Sequence, residues 1–410
     1  MGRSGGWGRG LEEPEPTVPS SSSDPLGGPA GQREKARSAT GNQKLSGSTG
    51  AQGPRAGWLQ QPLDPFNASD GRIFLQRYWV NDQHWAGQDR PVFLHLGGEG
   101  SLGPGSVMTG HPAALAPAWG ALVISLEHRF YGLSVPAGGL GLTQLRYLSS
   151  RHALCLLACY SPCICQVQFV CLGSCSPLTR SGRSGLSEGK EDGHVGLSTS
   201  FGGELVAQLC GLLLEGARNG SYPASYRGLR RAAQIVRHSL GQRCLSFSRA
   251  QTMRQLRATV PPESGVGDRQ WLYQTCTEFG FYVTCEDPDC PFSELPALSS
   301  HLELCEQVFG LSASSVARAV VQTNSHYGGQ APGATRVLFV NGDTDPWHVL
   351  SVTQPSETAL LIPGASHCAD MAPERPSDPA SLRQGRLSIL QQLQTWLGQA
   401  QEERHMGVPA

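Results

Sequence analysis

The sequence predicts an α/β protein, and three observations carry that prediction. Two continuous apolar runs, Pro91–Leu96 ("PVFLHL") and Ala121–Leu126 ("ALVISL"), have the length and composition of strands buried on both faces of a parallel sheet. Between them lie a glycine loop, "GGEGSLGPG", and a short helix-compatible stretch, "HPAALAPAWG", so strand, loop, helix and strand follow one another as a parallel crossover requires. Near the C-terminus two more strand-like runs, in "RVLFV" and "TALLIPG", each end in a polar loop. Such sheets collect ligand chemistry at their strand ends.

Taken in order, residues 1–56 are rich in Gly, Ser and Pro and poor in aromatics. They cannot bury enough surface to offset chain entropy, and disorder is expected. They also contain no apolar stretch that would serve as a signal-peptide core. Residues 57–151 carry the aromatic-dense "AGWLQQPLDPFNASDGRIFLQRYWVNDQHW" and the two apolar runs above. Residues 152–204 break the texture: six cysteines, Cys155, Cys159, Cys163, Cys165, Cys171 and Cys175, are followed by a polar Gly/Ser tract. Without paired C-x-x-C spacing they make a poor zinc site. Pro162 and the interspersed polar residues argue against a membrane helix. What remains is a segment foreign to the surrounding fold.

Residues 205–330 read as a helical subdomain. "ELVAQLCGLLLEG", "YRGLRRAAQIVRHSL", "DRQWLYQTCTEFGFYV" and "LSSHLELCEQVFG" place apolar residues at three- and four-residue spacing. Cys244, Cys276, Cys285, Cys290 and Cys305 are available for disulfides, with the pairing open. Residues 331–403 return to strand texture and end in a helix. Ser377 or Asp378 is expected to cap it, Pro379 to occupy its first turn, and Ile389, Leu390, Leu393, Trp396 and Leu397 to form its apolar face.

With 410 residues and a net charge of −1, nothing favours nucleic acid or a membrane surface as partner. Thirteen cysteines, with sequons at Asn67-Ala68-Ser69 and Asn219-Gly220-Ser221, point instead to the secretory route and to N-glycosylation at Asn67 and Asn219. No metal or cofactor is indicated.

Asp345 follows one apolar strand and His367 follows the next, so both side chains are expected at the same sheet edge. An acid that orients a histidine is the arrangement of a nucleophilic hydrolase, where the order on such sheets is Ser, Asp, His. The competing reading makes Asp345 a turn residue before Pro346 and His367 an exposed loop histidine.

"LHLGGEGSLGPGSVMTGHPAALAPAWGALVISLEHRFYGLSVPAGG", "DRQWLYQTCTEFGFYVT", "LFVNGDTDPWHVL" and "SHCADMAPERPSDPASL" resemble the prolyl carboxypeptidase and dipeptidyl peptidase II family of serine peptidases. The resemblance implies an α/β-hydrolase sheet with an inserted, disulfide-containing helical cap, and cleavage of small peptides beside proline in lysosomal or endosomal vesicles. It implies Asp345 as triad acid and His367 as triad base, and makes Gly98 and Glu99 candidates to line the substrate site. Family members carry the nucleophile in a "GGSYxG" elbow, and here the resemblance stops at "LRYLSSRHAL" and resumes at "QLCGLLLEG". The hydrolase domain is therefore expected to be incomplete, in pieces 57–151 and 331–403, with 205–330 as what remains of the cap.

Four places offer substitute serines or elbow-like letters: Gly185–Gly189 ("GLSEG"), Gly2–Gly6 ("GRSGG"), Ser174 or Ser176 in "VCLGSCS", and Gly202-Gly203 before Glu204. Neither G-x-S-x-G stretch follows a strand or opens a helix, "VCLGSCS" has the wrong spacing from the family's landmarks, and the Glu204 carboxylate cannot replace a serine nucleophile. Two outcomes are set against each other: a serine exopeptidase by descent, and a non-catalytic, binding-only or mis-spliced chain that does not fold stably.

Overall fold

The computed structural model describes residues 53–158, 187–189, 222–239, 248–261, 267–284, 286 and 297–406, with positions 208, 209, 211, 212 and 214 between them. The cysteine-rich run after residue 158, the G-x-S-x-G stretch at Gly2–Gly6, Gly202, Gly203, Glu204, Asn219, Cys244, Cys285 and Cys290 lie outside the described residues.

Strands β1 (Arg55–Pro62) and β2 (Ile73–Asn81) form an antiparallel hairpin with Trp58 opposite Arg77. The first strand begins just inside the stretch expected to be disordered. Its pairing supplies the backbone partners that composition alone could not reveal. Strands β3 (Val92–Leu96) and β4 (Leu122–Leu126) are the two apolar runs, parallel and in register from Val92–Leu122 to Leu96–Leu126. The β2 strand pairs antiparallel with β4, which sets the order β1-β2-β4-β3. Helices α1 (Gly105–Met108) and α2 (His111–Trp119) make the crossover, and Val107 and Ala116 pack with Phe93 and Val123. The α/β expectation is met.

Short helices α3 (Leu142–Leu145) and α4 (Ser150–Ala158) follow. The latter runs past residue 151, where a foreign tract was expected to begin, and His152 is built into the fold. Its carbonyl accepts from Arg129 Nη1 at 3.0 Å, and its ring packs edge-on to Phe66 and Tyr147. Further on, β5 (Ser187–Gly189) pairs with β6 (Phe281–Val283), so the serine of "GLSEG" sits within a strand and not at a strand-to-helix elbow.

The helical segment comprises α5 (Tyr222–Ser239), α6 (Arg249–Arg257), α7 (Asp268–Gln274), α8 (Leu298–Phe309) and α9 (Ala313–Tyr327). "DRQWLYQTCTEFGFYV" is not one helix: α7 gives way to a π turn, Thr275–Phe279, then to Gly280 in left-handed geometry and then to β6. The Thr275 hydroxyl both donates to the Phe281 carbonyl and accepts from its amide, so one side chain turns the chain out of the helix. The cap core joins Leu272, Tyr282, Phe309, Val316 and Val320 to Phe130, Tyr131 and Leu145.

Inside that core Cys276 and Cys305 are disulfide-bonded across a sequence separation of 29. A closed loop of that length stabilises by about 2–4 kcal/mol, mainly through the unfolded chain. Replacing both cysteines by alanine is expected to lower stability by about that amount. A non-reducing peptide map in which Cys276 is paired elsewhere would refute the assignment.

The last strands, β7 (Phe339–Gly342) and β8 (Ala359–Ile362), pair parallel as a separate two-stranded sheet. Helix α10 (Ala380–His405) closes the described chain and buries Ile389 and Leu393, while Leu390, Trp396 and Leu397 are half-buried. Its start differs from expectation. Pro379 takes the capping position with no side-chain cap, and the Asp378 carboxylate is drawn off to Arg386 and the Arg375 amide.

Candidate active site

Strand β7 runs into the polar loop that opens with Asp343, and β8 into the loop carrying His367; the two strands are parallel, so both loops leave from the same edge. The loops are sewn together by the chain itself. Asp343 accepts from the Gly364 amide at 2.6 Å, and Thr344 donates to the Ala365 carbonyl through both amide and hydroxyl. Above this seam Asp345 Oδ2 lies 2.7 Å from His367 Nδ1. Its other oxygen accepts from the Trp347 amide at 2.9 Å and caps the 3-10 turn Pro346–Leu350. One buried carboxylate thus orients its own loop with one oxygen and the imidazole with the other.

Trp347 anchors this turn to the cap. Its ring stacks on Phe281 with centroids 5.7 Å apart and meets Trp271 edge-on at 6.3 Å. The Asp345 side chain is buried, while His367 keeps 28% of its side-chain surface exposed. Burial alone would lower the imidazole pKa. The hydrogen bond to Asp345, with a further contribution from the neighbouring Cys368, outweighs it and raises the value to about 10.

The sign of the resulting pH dependence follows. A raised imidazole pKa contributes stability in full below the ordinary value of 6.5, and that contribution is lost as pH rises through about 10. Asp345→Asn is expected to cost about 3 kcal/mol at pH 6, as for other broken buried pairs, and progressively less above pH 9. Chemical denaturation at the two pH values checks this, and a penalty independent of pH would refute the ion pair.

The glycine loop lies at the end of β3. The Gly97 amide donates to the Leu126 carbonyl and the Gly267 amide to the Glu99 carbonyl, both at 2.8 Å. Gly98 and Glu99 are half-buried there, and the hydrogen bonds that hold their loop run to β4, to the cap and to Glu127. Glu127, fully buried, accepts from the amides of Leu102 and Leu133 and the hydroxyl of Ser134, which pins this loop to the turn after β4. Asn67 is exposed on the β1–β2 loop, its amide oxygen accepting from the backbone amide and the hydroxyl of Ser69. Among the described residues no cluster of His, Cys, Asp and Glu could hold a metal ion, and no helix is long and apolar enough to cross a membrane.

The two strand-end loops thus bring Asp345 and His367 together, whereas the buried contacts of Glu127 and Arg386 and the close approach at Gly342 were not foreseen. Glu127 had a signal, an acid at the end of an apolar strand; the other two had none outside the fold.

Comparison with known proteins adds the lineage. The model of the serine carboxypeptidase S28 family matches residues 61–166 and 188–389. Human thymus-specific serine protease is 54% identical over 456 residues, covering 86% of this chain and 89% of that protein. The mouse protein of the same name is 55% identical over 446 residues, covering 84% and 88%. Mouse lysosomal Pro-X carboxypeptidase is 33% identical over 100 residues, covering 24% of this chain and 20% of that protein. With the family model spanning well over half of its length, the chain belongs to the S28 family of serine carboxypeptidases.

Proposed function

We propose that this chain keeps the acid and base of a serine exopeptidase, Asp345 and His367, but lacks the nucleophile, and is catalytically inactive. The observation that carries the first half is the 2.7 Å contact between Asp345 Oδ2 and His367 Nδ1, on adjacent parallel strand ends in the Asp-then-His order of such sheets.

Two observations support the second half. Human thymus-specific serine protease aligns over 456 residues, yet 86% of 410 residues is about 353, so about 100 aligned positions have no counterpart here. The sheet is also divided: among the described residues β3 pairs only with β4, and β7 only with β8. A nucleophile strand and its helix between these two pieces are what the family's plan would place there. Within 152–204 the described "GLSEG" serine, Ser187, lies in a strand.

By family, the substrates of an intact chain are small peptides, cleaved beside proline, with Gly98 and Glu99 lining the site. Lysosomal or endosomal residence, and glycans on Asn67 and Asn219, belong to the same reading. A binding-only role is the alternative that the retained glycine loop favours. Treatment with a fluorophosphonate probe tests inactivity, and a serine adduct anywhere in the purified chain would refute it. Full-length transcript sequencing tests the origin of residues 152–204: reads encoding an intact elbow between Arg151 and Leu205 identify that tract as misassembled coding sequence.

A further inference from the structure

One buried cation stands directly behind the histidine loop. Arg386, on α10, is only 5% exposed and spends four of its five N–H donors on that loop and its continuation. Its Nε donates to the Asp370 carbonyl at 3.0 Å, and Nη2 donates to the carbonyls of Ala369 at 2.9 Å and Ala372 at 3.1 Å. Nη1 donates to the Asp378 carboxylate at 2.6 Å, and Asp378 in turn accepts from the Arg375 amide. The three carbonyls belong to the 3-10 turn Ala369–Met371 and the residue after it, which begin two residues beyond His367. Between them stands Cys368 in left-handed geometry, φ 53°, a conformation a non-glycine side chain adopts only when its surroundings impose it.

The N-terminus of α2 abuts the same turn. A Cβ on Gly110 would fall 2.7 Å from the Met371 carbonyl oxygen. His111, next in sequence, is held neutral, its pKa lowered to about 4 by burial and then by the charge of Arg386. Asp370, also facing the guanidinium, has its carboxyl pKa raised by burial. One guanidinium therefore ties the C-terminal helix to the turn that follows His367, at a place where helix α2 leaves no slack.

We propose that Arg386 is the positioning residue of the Asp345–His367 pair. By gathering the carbonyls of residues 369, 370 and 372 it fixes the turn whose first residues hold Cys368 in its left-handed geometry, and so aims the His367 ring at Asp345. The inference rests on the reading of those two residues as acid and base. No other side-chain type reproduces it: lysine is a point charge without the planar fork, and glutamine has too few donors.

Low-field proton NMR reads the pair directly, because an imidazole N–H donating to a carboxylate resonates far downfield of the amides. The parent chain is expected to show this resonance, and His367→Gln to abolish it. In Arg386→Gln and Arg386→Lys the resonance is expected to broaden away, and the imidazole pKa to fall by at least a unit, about a tenfold change in proton affinity. The near-UV signal of Trp271 and Trp347 should persist in both. Asp378→Asn, which leaves the three carbonyl bonds in place, is expected to retain the resonance and provides the assay if either Arg386 variant fails to fold; loss of the signal there would overturn the assignment of the positioning role to the carbonyl contacts. A folded Arg386→Gln or Arg386→Lys chain with an unshifted resonance and pKa would overturn the proposal itself. A parent chain without the resonance would instead overturn the acid–base pairing beneath it.

Discussion

A fluorophosphonate probe is expected to leave the purified chain unlabelled, whereas a chimera in which residues 152–204 are replaced by the corresponding segment of human thymus-specific serine protease is expected to label. The contrast is large because such triads act as units: removing the serine costs on the order of 10⁶ in turnover, leaving about 10³–10⁴ over water from binding and the oxyanion hole. In this chain even that residue is reduced, since the helix behind the nucleophile is proposed to be absent with it. His367→Gln in the chimera should abolish labelling again, which ties the restored serine to this imidazole. Labelling of the parent chain, or a chimera that folds and hydrolyses peptides without His367, would refute the account of the site.

Gly342→Ala is expected to destabilise the chain by more than about 4 kcal/mol, at the severe end of single substitutions. Gly342 closes β7, and a Cβ there would lie 2.1 Å from the Ala365 carbonyl oxygen and 2.6 Å from its carbon. Both are backbone atoms, so no rotamer change relieves the collision. Only displacement of the β8 loop does, and that loop carries His367 and accepts the Thr344 hydroxyl through the same Ala365 carbonyl. The variant should therefore also lose the Asp345–His367 contact, seen as loss of the downfield imidazole proton. A folded Gly342→Ala chain of near-parent stability, with that proton in place, would refute the close-approach argument.

Where the chain's own periodicity set the outcome, the sequence was a sufficient guide. Continuous apolar runs made β3, β4, β7 and β8 legible, although in β8 only Ile362 is fully buried and Leu361 stays exposed. The spacing of Asp345 and His367 was legible from the same runs: two consecutive parallel strands put their loops on one edge. The α10 core positions Ile389 and Leu393 followed from the 3.6-residue repeat.

Elsewhere, the deciding partner lay far away in sequence. "DRQWLYQTCTEFGFYV" has a helical pattern throughout, but Thr275 and Gly280 end the helix, and a Cβ at Gly280 would meet Val320 on α9 at 2.7 Å. Among five candidate cysteines, proximity inside the cap core chose Cys276 and Cys305. Asp378, a fitting helix cap by type, was taken by Arg386 instead, because a buried guanidinium needs a carboxylate more than a solvated helix end does. The sequence by itself determined the α/β class, the apolar strands and the placing of an acid and a histidine on consecutive strand-end loops, since these depend on residue type and local period. The tertiary structure alone decided the 2.7 Å contact between them, the glycine that lets their loops touch, and the arginine behind the histidine turn. Those depend on which distant backbone atoms approach, and no local period records that.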